Sequence, residues 1–275
     1  MIQRRVAIIA FVSMMSIASD RVCAFEFTST RSQSMGGSAS LRSATAWDYL
    51  WVTGLSVDRN AIALAFDAAR RYDLKELDTK GVAFAFGKGR VSVAVGAVQL
   101  GRSSYYAERL ARVNFAYRAR AFGVGVAASA KGHDFGGEYS ALHSQSIGVG
   151  LSWRGKRVSL AVGADDINQP RPWARAQGET IKWRMSFDLE GARGVTLAGH
   201  ATISDLHRPV FGVGQSVAVT RAFRARWGVS IHPMVYTAGV EIGARSFAFH
   251  YGAWYHGALG WSQSVGASYR FSTGN

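Results

Sequence analysis

Seven histidines, a pair of adjacent aspartates and a scatter of serines are the side chains of this 275-residue chain that could do chemistry. The histidines are His133, His143, His200, His207, His232, His250 and His256. A zinc site needs three or four such donors around one ion. His250 and His256 share a strand face, but extended chain holds them about 20 Å apart, and no tight Cys/His/Asp cluster accompanies the others. Some membrane barrels are hydrolases with Ser and His on the outer wall. Here Ser262, Ser264 and Ser268 fall on the polar face, and no Gly-x-Ser-x-Gly elbow occurs. Asp165-Asp166 offers oxygen ligands for calcium, although a solvated loop is the commoner meaning of such a pair. Lys88-Gly89-Arg90 is no phosphate loop, because no helix is expected after it. The residues therefore predict no catalytic group, no metal ligand and no cofactor, and the chain is expected not to be an enzyme.

The elements that carry these residues are strands. The clearest is 261–271, where Trp261, Gln263, Val265, Ala267, Tyr269 and Phe271 share one face and Ser262, Ser264, Gly266, Ser268 and Arg270 the other. Side chains alternate along a strand, so such a segment has one apolar and one small or polar face. The pattern recurs at 59–70, 78–87, 91–102, 108–118, 121–130, 141–153, 158–165, 179–190, 195–204, 210–220, 223–232, 235–244 and 247–256. Fourteen alternating segments predict an all-β, transmembrane, antiparallel up-and-down barrel. A strand of the length of 261–271, tilted by about 40°, is about 27 Å tall, close to an outer-membrane apolar band. Links after the even-numbered segments are short. Those after the first, third, fifth, seventh and ninth are expected to be longer and to face outward, with both termini periplasmic. Trp153, Trp173, Trp227, Trp261, Tyr105, Tyr106, Tyr117, Tyr255 and Tyr269 lie mostly near segment ends, where amphipathic rings favour the lipid–water boundary. A soluble β-sandwich with the same aromatics in its core is the competing architecture.

Composition narrows the class. Hydrophobic residues make up 48%, mean hydropathy is +0.02, and there are 31 Gly but 4 Pro. No apolar run outside the N-terminus is long enough for a membrane helix, which excludes a helical multi-span protein. Residues 1–24 are predicted to be a signal peptide: Arg4 and Arg5 precede an apolar Val6–Ala18, and Val22-Cys23-Ala24 fits the small-x-Ala cleavage pattern. Cys23, the one cysteine, would leave with it, so the mature chain has no disulfide. The net charge of +14 would suit nucleic acid, but the cations cluster in turns: Lys88 and Arg90, Arg118 and Arg120, Arg154 to Arg157, Arg193, and Arg221 to Arg226. A ring of cations at one rim, meeting the phosphates of outer-membrane lipid, is the expectation. No nucleic-acid partner is expected.

Ser34-Met35-Gly36-Gly37-Ser38-Ala39, followed by Ala46-Trp47-Asp48-Tyr49-Leu50-Trp51-Val52-Thr53-Gly54-Leu55, resembles the N-terminal signature of the FadL-type outer-membrane proteins, of the PorV and PorQ kind. Met35, Gly36, Gly37, Trp51, Gly54 and Leu55 match the pattern. Val52 and Thr53 replace its Asn-Pro-Ala, one residue short. The resemblance implies a fourteen-stranded barrel of the bacterial outer membrane, with the N-terminal segment in the lumen as a hatch. It implies one of two roles. The first, PorV-like, is a membrane-embedded anchor for protein partners of a secretion or cell-surface complex. The second, FadL-like, is passage of hydrophobic small molecules.

Three segments follow: 1–24 signal peptide, 25–57 hatch or plug, and 58–275 barrel. The closing strand, with Tyr269 and Phe271 on its apolar face, is the segment expected to engage the barrel-assembly machinery during insertion. Position 69, Ala69 of the first segment, is not included in that assembly signal. The inward face is crowded with Gly, Ala and Ser, beside Lys182, Arg184, Asp188, Glu190, Arg224, Arg226 and Glu241. Such a face leaves room for a plug that buries Trp47, Tyr49, Leu50 and Trp51; an open water channel is the alternative. Inward Gly148 and Gly212 are accordingly expected to accept arginine better than outward Val149 and Val213.

Overall fold

The computed structural model describes residues 28–58, 60–102, 106–135, 142–171, 180–205 and 207–272. The predicted signal peptide lies outside the described residues, as do Trp173 and Tyr105.

Among the described residues two short helices, α1 (Thr30–Gln33) and α2 (Ala46–Trp51), precede fourteen strands. These are β1 (Ala61–Arg70), β2 (Thr79–Lys88), β3 (Val91–Arg102), β4 (Tyr106–Ala119), β5 (Phe122–Asp134), β6 (Leu142–Arg154) and β7 (Val158–Asp165). β8 (Lys182–Glu190), β9 (Val195–Ser204), β10 (His207–Ala218), β11 (Phe223–Ile231), β12 (Val235–Ala244), β13 (Phe247–His256) and β14 (Gly260–Ser272) complete the set. Each strand pairs with its sequence neighbours, and β1 pairs with β14, from Ala61↔Ser272 to Arg70↔Gln263, so the sheet is a closed barrel. Closure leaves no strand edge unpaired, as a sheet surrounded by hydrocarbon requires. Among the described residues no helix is long and apolar enough to cross a membrane.

Burial follows the alternation strand by strand. In β1 the inward Ala61, Ala63 and Ala65 are buried while Ile62, Leu64 and Phe66 are exposed. β2 repeats the pattern with Val82, Phe84 and Phe86 outward, and β6 with Ile147, Val149 and Leu151. This inverts a soluble protein, where large apolar side chains go inside. The outward apolar set covers the full circumference, so the two-layered sandwich fails on topology and on burial together. Tyr269 and Phe271 also point outward, opposite Leu64 and Ile62 of β1, and close the seam. Ala69 belongs to the other face of that seam: it shares the parity of the inward alanines and pairs with Ser264 of β14.

Two details differ from the sequence reading. The links after β3 and β9 are brief rather than long: β4 already begins at Tyr106 and β10 at His207. Pairing explains this, since Tyr106 still meets Arg102 and His207 meets Ser204 across a register shift between His207 and Val210. Strand β5 likewise runs on to Asp134 because β4 and β6 continue to flank it. A closed sheet keeps adding ladder bonds as long as a neighbour is present, whatever the local polarity. The long links that remain are those after β1, β5 and β7.

Lipid-facing positions should show a depth-dependent cost. Val149→Arg, in mid-strand, is expected to destabilise the barrel by about 2–4 kcal/mol, and Val91→Arg, at the first residue of β3, by about 0–1 kcal/mol. Denaturant titration in lipid vesicles checks both; equal losses would contradict the outward assignment.

Candidate functional site

The lumen is the place where side chains converge, and residues 28–58 occupy it. Met35, Leu41, Trp47, Tyr49, Leu50 and Leu55 are each 1% exposed or less. Trp47, Tyr49, Leu50 and Leu55 form one cluster with the inward alanines of β1, β2 and β3.

The motif glycines explain how the segment fits. Gly36 and Gly54 have φ of +67° and +89°, a region that side chains disfavour. A Cβ on Gly36 would lie 2.6 Å from the Val229 carbonyl oxygen, and one on Gly54 2.7 Å from that of Gly150. The wall reciprocates. A Cβ on Gly212 or Gly214 would lie 2.1 Å from Gly36 O or 2.4 Å from Met35 O, and one on Gly123 or Gly150 2.3 Å from Gly54 O or 2.1 Å from Thr53 O. Gly37 sits against His200, whose ring its Cβ would meet at 3.0 Å. Trp51 and Leu55 lie on either side of the Gly54 contact, Leu55 buried and Trp51 half-buried.

The spare room behind the expectation that Gly148 and Gly212 accept arginine better than Val149 and Val213 is not there. Gly212 has the Gly36 carbonyl in the way, and a Cβ on Gly148 would lie 2.5 Å from a carboxylate oxygen of Asp165. The small residues do not mark empty space. They mark contact with another backbone or with a neighbouring side chain.

Polar groups of the wall complete the fit by serving the termini of the hatch helices. The amide of Thr30, at the start of α1, donates to Asp67 Oδ1 of β1 at 2.7 Å. At the C-terminal end of α2, Tyr49 O accepts from Asn114 Nδ2 at 2.6 Å and Leu50 O from Arg112 Nε at 3.0 Å. Helix ends leave such groups without partners, and opposite charge at each end is favourable. Asp48 binds the Thr45 amide at 2.7 Å and accepts from Ser32 at 3.3 Å, which ties α2 to α1. Asp188 of β8 accepts from the amides of Leu41 and Arg42, each at 3.1 Å, and pairs with Arg42 Nε.

Two ion networks run through the wall. In the first, Asp165 meets Arg112 at 2.8 Å and Arg184 at 3.0 Å, while Asp166 meets Lys131 at 3.0 Å and Lys182 at 3.2 Å. Arg112 also donates to Thr53 Oγ1 at 2.8 Å, and both guanidiniums stand over the Trp51 ring. The aspartate pair is thus buried among four cations. It is not a solvated loop, and the described residues contain no group of three or more His, Cys, Asp or Glu side chains that could hold a metal ion. In the second network, Arg226, Glu241 and His250 are joined across β11, β12 and β13, with His250 Nε2 to Ser268 Oγ at 2.9 Å and Nδ1 to Glu241 at 3.2 Å. These group types also make up a hydrolase relay. Here the carboxylate oxygen facing His250 is held by Arg226 as well, His250 is 3% exposed, and neither described cavity reaches Ser268.

At the short-turn end, Asp58 closes the hatch against Arg118, Arg154 and Arg270. Arg118 and Arg154, placed by the sequence reading in a lipid-facing ring, turn inward instead. Glu190, expected inward, is exposed at the same rim and pairs with Arg42 at 3.2 Å. Sequence reasoning missed Arg112, Asp58 and Asp67. Arg112 carried a signal: it is a cation in the middle of a membrane strand, on the face of Asn114 and Ala116.

Between the hatch and β7–β9 a small cavity of about 80 Å³ remains. Trp47, Trp51 and Val52 of the hatch bound it on one side, and Ala161, Arg184 and His200 of the wall on the other. Asp165 ends β7 and Thr202 lies near the end of β9, so the cavity belongs to the long-loop half.

No family model matches the chain, and no curated relative matches it. Among solved structures it is similar to the toluene transporter TodX of Pseudomonas putida, with TM-score 0.57 and 11% identity over 90% of this chain and 98% of that one. A second TodX structure gives TM-score 0.53 at 12% identity, over 89% and 98%. The deltaS2 mutant of the TodX monoaromatic hydrocarbon channel gives 0.55 at 10%, over 88% and 97%. At these identities the likeness is one of fold: an outer-membrane-type β-barrel.

Two substitutions probe the hatch seat. Gly212→Val should expel residues 34–38 while the ring survives: trypsin cuts at Arg42, yet the heat-dependent gel shift of a folded barrel persists. Full protection of Arg42 would refute the close contact. Arg112→Leu, which leaves a buried carboxylate underpaired, should cost about 3 kcal/mol in denaturant titration.

Proposed function

We propose that the barrel is a channel of the bacterial outer membrane, of the FadL type, that passes small hydrophobic molecules through a hatch-filled lumen. The observation that carries this reading is the cavity: the hatch fills the lumen yet leaves a concavity against β7–β9, in the long-loop half, with Trp47 and Trp51 in its lining. Ligand sites are concave, mostly apolar and equipped with a few placed polar groups, and Arg184, Ser186 and His200 supply the latter. The fold likeness to a toluene transporter over nine tenths of the chain supports the same reading. Transport requires no catalytic group of the protein.

The PorV-like anchor role has less support, because an anchor has no use for a solute cavity between hatch and wall. It predicts stoichiometric protein companions on purification in mild detergent, whereas the channel predicts a bound apolar solute and no fixed companion.

Uptake of labelled toluene by bacterial cells provides the test. Cells displaying the chain should take it up faster than cells without it. Ser186→Trp, which fills the cavity from β8, should return uptake to the background rate at an unchanged level of folded protein. Equal uptake with and without the chain would sink the channel reading.

A further inference from the structure

The short-turn rim carries an excess of positive charge. Lys88 and Arg90 flank the β2–β3 turn, Arg120 lies in the β4–β5 turn, and Lys156 and Arg157 lie in the β6–β7 turn; all are exposed. Arg221 and Arg245 continue the series in the β10–β11 and β12–β13 turns, also exposed. The carboxylates at this level are already engaged, Asp58 by three arginines and Glu190 by Arg42. The opposite rim mixes its signs: exposed Asp73, Glu76 and Asp205 alternate with Lys75, Lys80 and Arg102.

Placement identifies what these cations face. Lys88 follows Phe84 and Phe86 on the outward face of β2, and Arg90 donates to the hydroxyl of outward Tyr117 at 3.4 Å. Tyr117, Phe122, Phe247 and Phe271, all more than two-fifths exposed, form an aromatic belt just above. Aromatic rings of this kind settle at headgroup depth. The cations also occupy turns spread around the circumference instead of one arc. A protein docked on the rim would need a patch, whereas a ring of headgroups meets every turn. Phosphates without a balancing ammonium are attracted most, and the attraction fades within about 10 Å at 0.1 M salt.

We propose that the short-turn rim is a binding collar for anionic phospholipid headgroups, which enriches phosphatidylglycerol-type lipid around the barrel in the leaflet it faces. The Asp58-bound arginines are not part of it; they belong to the hatch.

Lipid carried through purification tests the collar. The full chain is reconstituted in vesicles of equal phosphatidylcholine and phosphatidylglycerol, extracted in mild detergent, and its retained lipid counted by mass spectrometry. Phosphatidylglycerol should be retained several-fold over phosphatidylcholine, less so at high salt. Combining Lys88→Gln, Arg90→Gln, Arg120→Gln, Lys156→Gln and Arg157→Gln should abolish the preference, with folding checked by the gel shift. Lys75→Gln, Lys80→Gln and Arg102→Gln on the other rim should leave it intact. Equal retention of both lipids by the unaltered chain overturns the proposal without needing any variant. So does a preference that survives the rim substitutions, or an acidic protein that co-purifies in place of enriched lipid.

Discussion

A backbone can rest directly on the inside of a barrel only where the barrel has no side chains. That constraint organises the molecule. Met35-Gly36 lies on Gly212, Gly214 and Gly228, and Thr53-Gly54 on Gly123, Gly125 and Gly150. These two seats, on β10–β11 and on β5–β6, hold the inserted segment at two points of the ring. The positive φ of Gly36 and Gly54 lets the segment turn where it touches. With the wall stripped to glycine at the seats, the large side chains of the segment find their space elsewhere, among the alanines of β1 to β3. The glycine content of the chain thus reflects two-sided packing: small residues inside the ring are the counterpart of a filled lumen.

Charge in the lumen follows from the same arrangement. A folded segment inside a sheet brings helix termini and loop amides that cannot reach water, and each needs a partner. Asp67, Asn114, Arg112 and Asp188 are those partners. Burying them is costly, and a buried ion pair adds little net stability compared with apolar packing. Their effect is on register: removing one leaves an uncompensated charge or amide, so only one seating of the segment satisfies all of them. The aspartate pair at the end of β7 shows the logic at its densest, with Asp165 held by Arg112 and Arg184 and Asp166 by Lys131 and Lys182.

Much of this was legible in the sequence, for a physical reason. Period-two alternation is set by the backbone alone, and a lipid-facing wall admits few exceptions to it, so the strand faces could be assigned residue by residue. The late starts predicted for β4 and β10 erred because polarity near a strand end says nothing about whether a neighbour is there to pair with. The seats were harder. Gly148 and Gly212 look identical to any small inward residue until the segment opposite is in place. Asp165-Asp166 looked like a loop pair because its four cations come from β4, β5 and β8, far away in sequence. Contacts of that range leave no local trace, apart from the oddity of Arg112 at mid-strand.

The two ends of the ring are built differently, and the segment inside divides them. On the long-loop side the cavity lies between Trp51 and β7–β9. On the short-turn side Asp58 draws Arg118, Arg154 and Arg270 together, and Arg154 also holds the Ser56 carbonyl at 2.8 Å. Anything crossing from the cavity to the short-turn rim must displace residues 52–58 or pass between them and the wall. The glycine seats resist such movement weakly, since backbone resting on glycine has no interlocking side chains to disengage. Resistance comes from Leu55 and Val57 in the core cluster, from Arg112 on Thr53 and Ser152 on Gly54 O, and from the arginine clasp; the clasp members are a fifth to two-fifths exposed and so within reach of solvent screening. Ionic strength on the short-turn side therefore acts on the part of the hatch that stands in the way.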